Sequence, residues 1–152
     1  MLRRAPFQPL PDGRYRVRLA ADERALVGGL CAQLHDAIEV DDRAVPRLFP
    51  PAHRGDPEAA AEFDRLARDG LVAGRLEALR TVAATLDDDI LDEEALQAWC
   101  GALNDLRLVL GERIGVTEEM DEALFRTSHE HALYGFLTYL QAASVDALAS
   151  RL

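Results

Sequence analysis

The spacing of hydrophobic and polar residues changes once along the chain, near residue 20. Before that point, "RYRVRL" places Tyr15, Val17 and Leu19 in strict alternation with arginines, and this period of two predicts a strand with one buried face. A strand alone leaves its backbone hydrogen-bonding groups unsatisfied. We therefore expect it to pair with residues near Phe7–Leu10, where prolines remove N–H donors, or with another chain.

Beyond residue 20 the apolar residues recur every three or four positions, which predicts a series of helices. The first extends from Ala21 to about Val40. Its apolar face holds Leu26, Leu30, Leu34 and Ile38, with Val27 and Cys31 alongside. The second begins at Pro57 after an Asp56 N-cap, and Gly70 marks a break or kink in it.

Two further helices complete the pattern. Asp92 is predicted to cap a helix that ends at Gly115. The buried seam of that helix is Leu96, Trp99, Leu103, Leu106 and Leu110. Thr127 and Glu130 form a capping box before the last helix. The buried stripe of that helix is Ala132, Leu133, Phe136, Leu137, Leu140, Ala143 and Ala147. The predicted fold class is mainly α: a compact bundle of about five helices with a short N-terminal β-strand or hairpin.

Glycines inside these helical patterns need a reason, because each costs about 1 kcal/mol relative to alanine. There are six of them: Gly28, Gly29, Gly74, Gly101, Gly111 and Gly135. We interpret them as positions where two helices cross closely.

The charge of the 152-residue chain is unevenly distributed. Net charge is −10, and residues 1–18 hold five arginines and one aspartate, which makes them +4 and the remainder −14. The length suits a single helical domain over residues 1–152, with a basic strand segment at 1–19 and an acidic helical body at 20–152. An acidic body argues against direct nucleic-acid binding, except through the surface formed by Arg14, Arg16 and Arg18.

The two cysteines, Cys31 and Cys100, are candidate redox residues. They lie far apart in sequence, so they indicate neither a disulfide framework nor a zinc pair. His35 is one helical turn from Cys31 and could lower the pKa of its thiol, although a buried, reduced core thiol is the favoured interpretation. With no apolar leader and no apolar run of about 20 residues, a cytoplasmic location and no membrane association are expected.

Other candidate chemistry is weaker. His129 and His131 are two positions apart, and on a helix their side chains diverge, so a metal site is not favoured. The acidic "DDDILDEE" lacks the central glycine of a calcium loop. No phosphate-binding loop and no nucleophile with an evident base is present. No cofactor, metal or catalytic residue is therefore expected.

A polar cluster interrupts the apolar run "ALNDLRLVLGERIGV" at 102–116. On a helix, Asn104 and Arg107 border the leucine seam beside Cys100, while Asp105 points away from it. We expect a structural role, in which the Arg107 guanidinium binds a carboxylate or backbone carbonyls of another segment. The alternative is a binding or switching surface formed by this stripe.

This run and "RLFPPAHRGDPEAAAEF" at 47–63 resemble an actinobacterial family of proteins of unknown function, identified as AosR-like oxidative-stress transcriptional regulators. The likeness covers nearly the whole chain, including "YGFLTYLQAA" at 134–143. The resemblance implies redox sensing by cysteines and control of transcription through a protein partner such as an alternative sigma factor.

The leading hypothesis for function is therefore a non-enzymatic regulatory or protein-interaction protein. The alternatives are a small-molecule or metal-binding helical enzyme and a proteolysis-linked adaptor. A homodimer is also predicted, because an unpaired strand is a template for a second chain. In that dimer the N-terminal strand or the central helices would cross between subunits.

Overall fold

The computed structural model describes residues 4–41, 48, 57–115 and 129–152, with the backbone alone at 57–60 and 64. Its strands are β1 (Phe7–Pro9), β2 (Tyr15–Val17) and β3 (Ile90–Leu91). Its helices are α1 (Ala21–Val40), α2 (Pro57–Thr85), α3 (Glu93–Ile114) and α4 (His129–Ala149). The mainly helical fold with a short N-terminal sheet is confirmed for these residues.

The strand predicted at "RYRVRL" is the centre of a three-stranded antiparallel sheet, with order β1-β2-β3. Phe7 pairs with Val17 on one side, and Tyr15 pairs with Leu91 on the other. The proline in β1 is tolerated because it lies on an edge strand, where its missing N–H faces away from β2. The first alternative, pairing with residues near Phe7–Leu10, is confirmed. The unpaired strand assumed in the homodimer prediction is not found, because both edges of β2 are paired within the chain.

The alternation in β2 places its side chains as predicted. Tyr15, Val17 and Leu19 are buried, whereas Arg14 and Arg16 are exposed. The buried face of the sheet meets α3 through Phe7, whose ring makes an edge-on contact with Trp99 at a centroid distance of 6.1 Å. Trp99 is fully buried, and its indole Nε1 donates a hydrogen bond to Thr85 Oγ1 at 2.8 Å. The sheet therefore closes one end of the helical core.

The buried faces of α1 and α4 differ slightly from those predicted. In α1 the buried apolar residues are Val27, Cys31, Leu34 and Ile38, and Leu26 is 41% exposed. The predicted spacing of apolar residues in α1 is correct, but the centre of the buried face lies closer to Val27 and Cys31 than predicted. One more leucine was assigned to the core than this face can hold. In α4 the buried residues are Leu137, Leu140, Ser144 and Ala147, while Ala132 is exposed.

Helix ends follow the local sequence signals where they are described. The Asp92 carboxylate accepts a hydrogen bond from the backbone N–H of Ala95 at 2.7 Å, which confirms it as the N-cap of α3. Gly115 ends α3 in the left-handed conformation with φ 70°, as a C-terminal glycine should. The predicted caps at Asp56 and Thr127 lie outside the described residues.

The predictions about glycine residues had two different outcomes. α2 continues from Pro57 to Thr85, so of the two alternatives at Gly70 the break was wrong, and the kink stays a prediction. A methyl group on Gly28 would come within 2.5 Å of Leu86, and one on Gly111 within 3.0 Å of Tyr134. Gly111 therefore permits a close crossing of α3 and α4, as predicted, whereas Gly28 permits α1 to pack closely against Leu86 in the turn after α2. At Gly29, Gly74, Gly101 and Gly135 a methyl group would meet no atom within 4 Å, so close packing among the described residues does not explain them.

A buried arginine, which the sequence pattern did not reveal, joins α1 to the turn before β3. Arg24 is 9% exposed. Its guanidinium donates to the carbonyls of Leu19 at 3.1 Å, Leu86 at 3.0 Å and Asp88 at 2.7 Å. It also bonds the carboxylate of Asp89 at 3.2 Å. One side chain thus fixes the start of α1, the end of α2 and the approach to β3.

Replacing Arg24 with alanine should destabilise the fold strongly. Arg24→Ala leaves partly buried carbonyls at Leu86 and Asp88 without their donor, and we expect the free energy of unfolding to fall by about 2–3 kcal/mol. Urea denaturation followed by circular dichroism measures this. The matched control is Arg80→Ala, because the Arg80 side chain is 53% exposed in its ion pairs and should matter little. Equal losses in both variants would contradict the assigned role of Arg24.

Candidate functional site

A cleft of about 540 Å³ opens between α1, α3 and α4. Its walls are largely apolar: α1 contributes Leu30, Leu34 and Ala37, and α3 contributes Leu106, Val109 and Leu110. Leu137 of α4 completes the apolar surface, and the polar lining residues are Gln33, Glu112 and Arg113. The volume is within the range of about 300–1,000 Å³ that is typical of ligand-binding clefts.

The cleft arises because the apolar faces of α1 and α3 are wider than their mutual contact. Leu30, Val109 and Leu110 pack against the core yet stay half-buried. Each is on the flank of its helix, next to fully buried neighbours such as Leu34 and Leu137. These flanking side chains are therefore accessible to another molecule without unfolding of the core.

A buried ion pair lies deeper in the bundle, between α2 and α3. Arg75 Nη1 donates to Asp105 Oδ1, and Asp105 is 2% exposed. The expectation that Asp105 points away from the core was wrong, because α3 is buried on a second side as well. Burial raises the pKa of the Asp105 carboxyl, and the hydrogen bond and positive charge of Arg75 oppose this shift without cancelling it.

Both candidate redox residues are free thiols, as predicted. Cys31 is buried, and this burial, with the negative charge of Asp105, raises the pKa of its thiol to about 12. His35 interacts instead with carboxylates, Asp36 at 3.8 Å and Glu39 at 3.7 Å. The alternative in which His35 activates Cys31 is therefore not supported. Cys100 is half-buried and is the more accessible of the two.

The polar stripe predicted around Arg107 forms on α3, but Arg107 binds a different partner from the one expected. Asn104 and Arg107 are both half-buried, and Arg107 Nη2 donates to Asn104 Oδ1 at 3.1 Å. This bond lies within α3, so the expected link to another segment is not found among the described residues. The connection between helices is made instead by Asp105 and Arg75.

The three arginines of the basic strand surface do not form a uniform positive patch. Arg14 pairs with Asp12 at 2.7 Å, and this pairing lowers the pKa of the Asp12 carboxyl. Arg18 donates to the side chain of Gln8. Arg16 is exposed on the same face. Part of the positive charge predicted for nucleic-acid contact is thus engaged by neighbouring side chains.

Potential metal ligands come together at one exposed place in the described part of the chain. His35, Asp36 and Glu39 offer atoms that lie within 4.8 Å of one another. Glu39 also pairs with Arg80 at 3.7 Å, and both acids are exposed. An exposed acidic group on one helix is common without a metal, so we assign none here. None of the described helices has the length and apolar character needed to cross a membrane.

A comparison with protein-family models matches residues 4–148 to the family described as "Domain of unknown function (DUF2017)". The chain belongs to the DUF2017 family. No curated protein and no solved structure matches it.

The sequence pattern of this DUF2017 chain missed the buried pair but contained a signal for it. Ala95 and Ala102 are buried on α3, ten and three positions before Asp105. Alanines at helical spacing indicate a second buried side of a helix in the same way that leucines do. The sequence contained no comparable signal for the cleft, because a gap between helices depends on how the faces of three helices meet.

Selective alkylation should separate the two thiols of the DUF2017 chain. Because only a thiolate reacts, and the Cys31 pKa of about 12 keeps that thiol protonated, we expect iodoacetamide at pH 8 to label Cys100 first. Peptide mass spectrometry over time measures both rates, with urea-unfolded protein as the control for intrinsic reactivity. Faster labelling of Cys31 in the native protein would contradict its burial.

The pH dependence of stability should reveal the raised pKa of Asp105. The folded state binds the proton more tightly than the unfolded state, so the contribution of Asp105 increases as pH falls from its folded pKa towards about 3.9, the unfolded value. Relative to Asp105→Asn, the wild type should therefore gain stability on acidification and lose it as pH rises. Urea unfolding of both proteins between neutral and mildly acidic pH tests the sign. The opposite slope would mean that Arg75 outweighs burial.

Proposed function

We propose that this DUF2017 chain is a non-enzymatic regulatory protein that binds a protein partner in the cleft between α1, α3 and α4. The observation that carries the proposal is the composition of that cleft. Seven of its ten lining residues are apolar, and they come from three helices. This surface suits the apolar side of an amphipathic helix, which docks by residues spaced three and four apart.

The polar lining residues also favour a protein partner over a reaction. Arg113 and Glu112 are exposed, so they can pair with charged side chains at the edge of a docked helix. A catalytic site requires polar groups that converge on a reacting atom and a base near a nucleophile. Of the two described thiols, Cys31 is disfavoured as a thiolate by its raised pKa.

The finer proposal is transcriptional regulation in response to oxidative stress, in the cytoplasm, through a partner such as an alternative sigma factor. The resemblance carried by residues 47–63 and 102–116 supports it. The net charge of −10 also supports control through a protein, because direct binding to nucleic acid is opposed by like charge. Among the candidate redox residues, the half-buried Cys100 is the better placed to react with an oxidant.

A charged residue in the cleft should weaken partner binding without unfolding the protein. We choose Val109→Glu, because Val109 lines the cleft and is only half-buried. Partners are first identified by placing a photo-crosslinking residue at Ala37 in cells of the source organism, with alternative sigma factors as the expected products. Isothermal titration with the purified partner should then show at least about a tenfold loss of affinity, equivalent to about 1.4 kcal/mol.

The matched control for this experiment is Val145→Glu, since Val145 is 42% exposed on α4 and is not among the residues that line the cleft. Circular dichroism verifies that both variants fold. Equal affinity of wild type and Val109→Glu for the crosslinked partner would exclude the cleft as the binding site. Turnover of a small molecule that Val109→Glu abolishes would favour the enzyme alternative instead.

A further inference from the structure

One side of α1 carries a stripe of residues with heptad spacing, and this stripe forms a wall of the cleft. Leu30, Gln33 and Ala37 line the cleft. Leu26 precedes this set by four residues and Val40 follows it by three, so the spacing along the stripe is four, three, four and three. This is the repeat by which one helix packs along another in a coiled coil.

The described residues leave this stripe largely uncovered. Leu26 is 41% exposed and Val40 is 86% exposed, while Leu30 and Ala37 are half-buried. The residues of α1 that form the core are a separate set, Val27, Cys31, Leu34 and Ile38. α1 therefore has two adjacent apolar sides, of which one builds the bundle and the other faces outward. The outward side extends over about 21 Å of helix.

The solvent-side flank of the stripe is acidic. In the heptad, the positions next to the stripe on this side are seven residues apart, and they hold Asp22, Gly29 and Asp36. All three residues are exposed. The Asp36 side chain is 82% exposed, and its contact with His35 Nδ1 is 3.8 Å, too long for a hydrogen bond. Both carboxylates are therefore accessible to a cation on a docked helix.

No exposed side chain of α1 carries a fixed positive charge that would balance this flank. The single arginine of the helix, Arg24, is buried and binds the turn before β3. Across the cleft, α3 contributes Glu112 and Arg113, whose opposite charges balance each other. The acids of α1 thus decide the charge of the partner, because charged flanks select the partner of a packed helix.

We propose that the partner element in the cleft is a basic amphipathic helix of about four turns that packs along α1 with heptad spacing. Its apolar residues contact the stripe, and its lysines or arginines recur every seven residues beside Asp22 and Asp36. This inference rests on the function proposed above and adds the chemistry of the element that docks. Gln33 lies at the centre of the stripe, and one polar position in an apolar seam fixes the register of a helix pair.

Two synthetic peptides test the charge requirement. Each has about three heptads with leucine at the seam positions, and the flanking positions are lysine in one peptide and glutamate in the other. Fluorescence anisotropy with nanomolar labelled peptide measures the affinity of each for the full chain. The lysine peptide should bind at least about tenfold more tightly at low salt. This difference should shrink as the NaCl concentration is raised, because exposed ion pairs are screened.

Charge reversal on the flank separates a specific contact from the general attraction between an acidic protein and a basic peptide. The double variant Asp22→Lys, Asp36→Lys should lower the affinity for the lysine peptide at least about tenfold and raise the affinity for the glutamate peptide. The matched control is Asp69→Lys, Asp146→Lys, which has the same net charge. Asp69 and Asp146 are exposed on α2 and α4, and neither lines the cleft. Circular dichroism verifies the folding of both proteins.

Gly29 allows a gain of affinity to be tested, which loss of folding could not imitate. It is the uncharged position of the flank, and a methyl group there would meet no atom within 4 Å. Gly29→Glu should tighten binding of the lysine peptide about threefold, which is the effect of one exposed ion pair. Gly29→Gln adds a side chain of the same size without the charge and should not show this gain.

The possible results separate this inference from the function on which it rests. Equal affinities of the two peptides, with Val109→Glu weakening both, overturn the basic character of the partner and leave the cleft as a docking site. An equal loss in the flank variant and in its matched control also overturns it, since the attraction is then non-specific. If neither peptide binds, or if Val109→Glu leaves binding unchanged, both the basic helix and the cleft as a helix-docking site are overturned.

Discussion

Helix α3 has to bury Trp99 and Asp105 on different sides, and the other elements are positioned by these two requirements. Trp99 needs a partner for its indole N–H and an apolar enclosure, which Thr85 and the Phe7 ring supply. Asp105 needs a cation, because an unpaired buried carboxylate is costly, and Arg75 supplies it. Helix α2 is thus bound to α3 at two points, Thr85 and Arg75, and the direction of its remaining length follows from them.

Two arginines, Arg24 and Arg75, carry buried polar contacts between segments, in a chain that contains no lysine. A guanidinium has five N–H donors in a fixed plane, so one side chain can satisfy several acceptors at once. Arg24 does this for carbonyls of three residues and one carboxylate. The lysine ammonium has three donors on a flexible stem and could not reach the same set. The junction between α1, α2 and the sheet therefore depends on the identity of one residue.

Two apolar surfaces are left after the described core is formed, and they differ in shape. The cleft between α1, α3 and α4 is concave and receives residues from three helices. The exposed surface of α2 is convex and belongs to one helix. A concave surface suits a narrow element of another protein, such as one face of a helix. This difference in shape explains why the cleft is the surface proposed for a partner.

The amino-acid sequence by itself determined the elements with strong local signals. Alternation identified β2, the carboxylate of Asp92 and the αL preference of Gly115 fixed both ends of α3, and the leucine seam located its main buried side. Each of these depends on residues within a few positions of one another. The tertiary structure alone decided which strands flank β2, which carbonyls Arg24 reaches and which arginine neutralises Asp105. Arg75 and Asp105 are 30 positions apart, and Arg24 and Asp89 are 65 positions apart, so no local periodicity encodes these partners. Gly70 illustrates the limit, because a glycine that ends one helix by its backbone preference can continue another when neighbouring residues favour the helix.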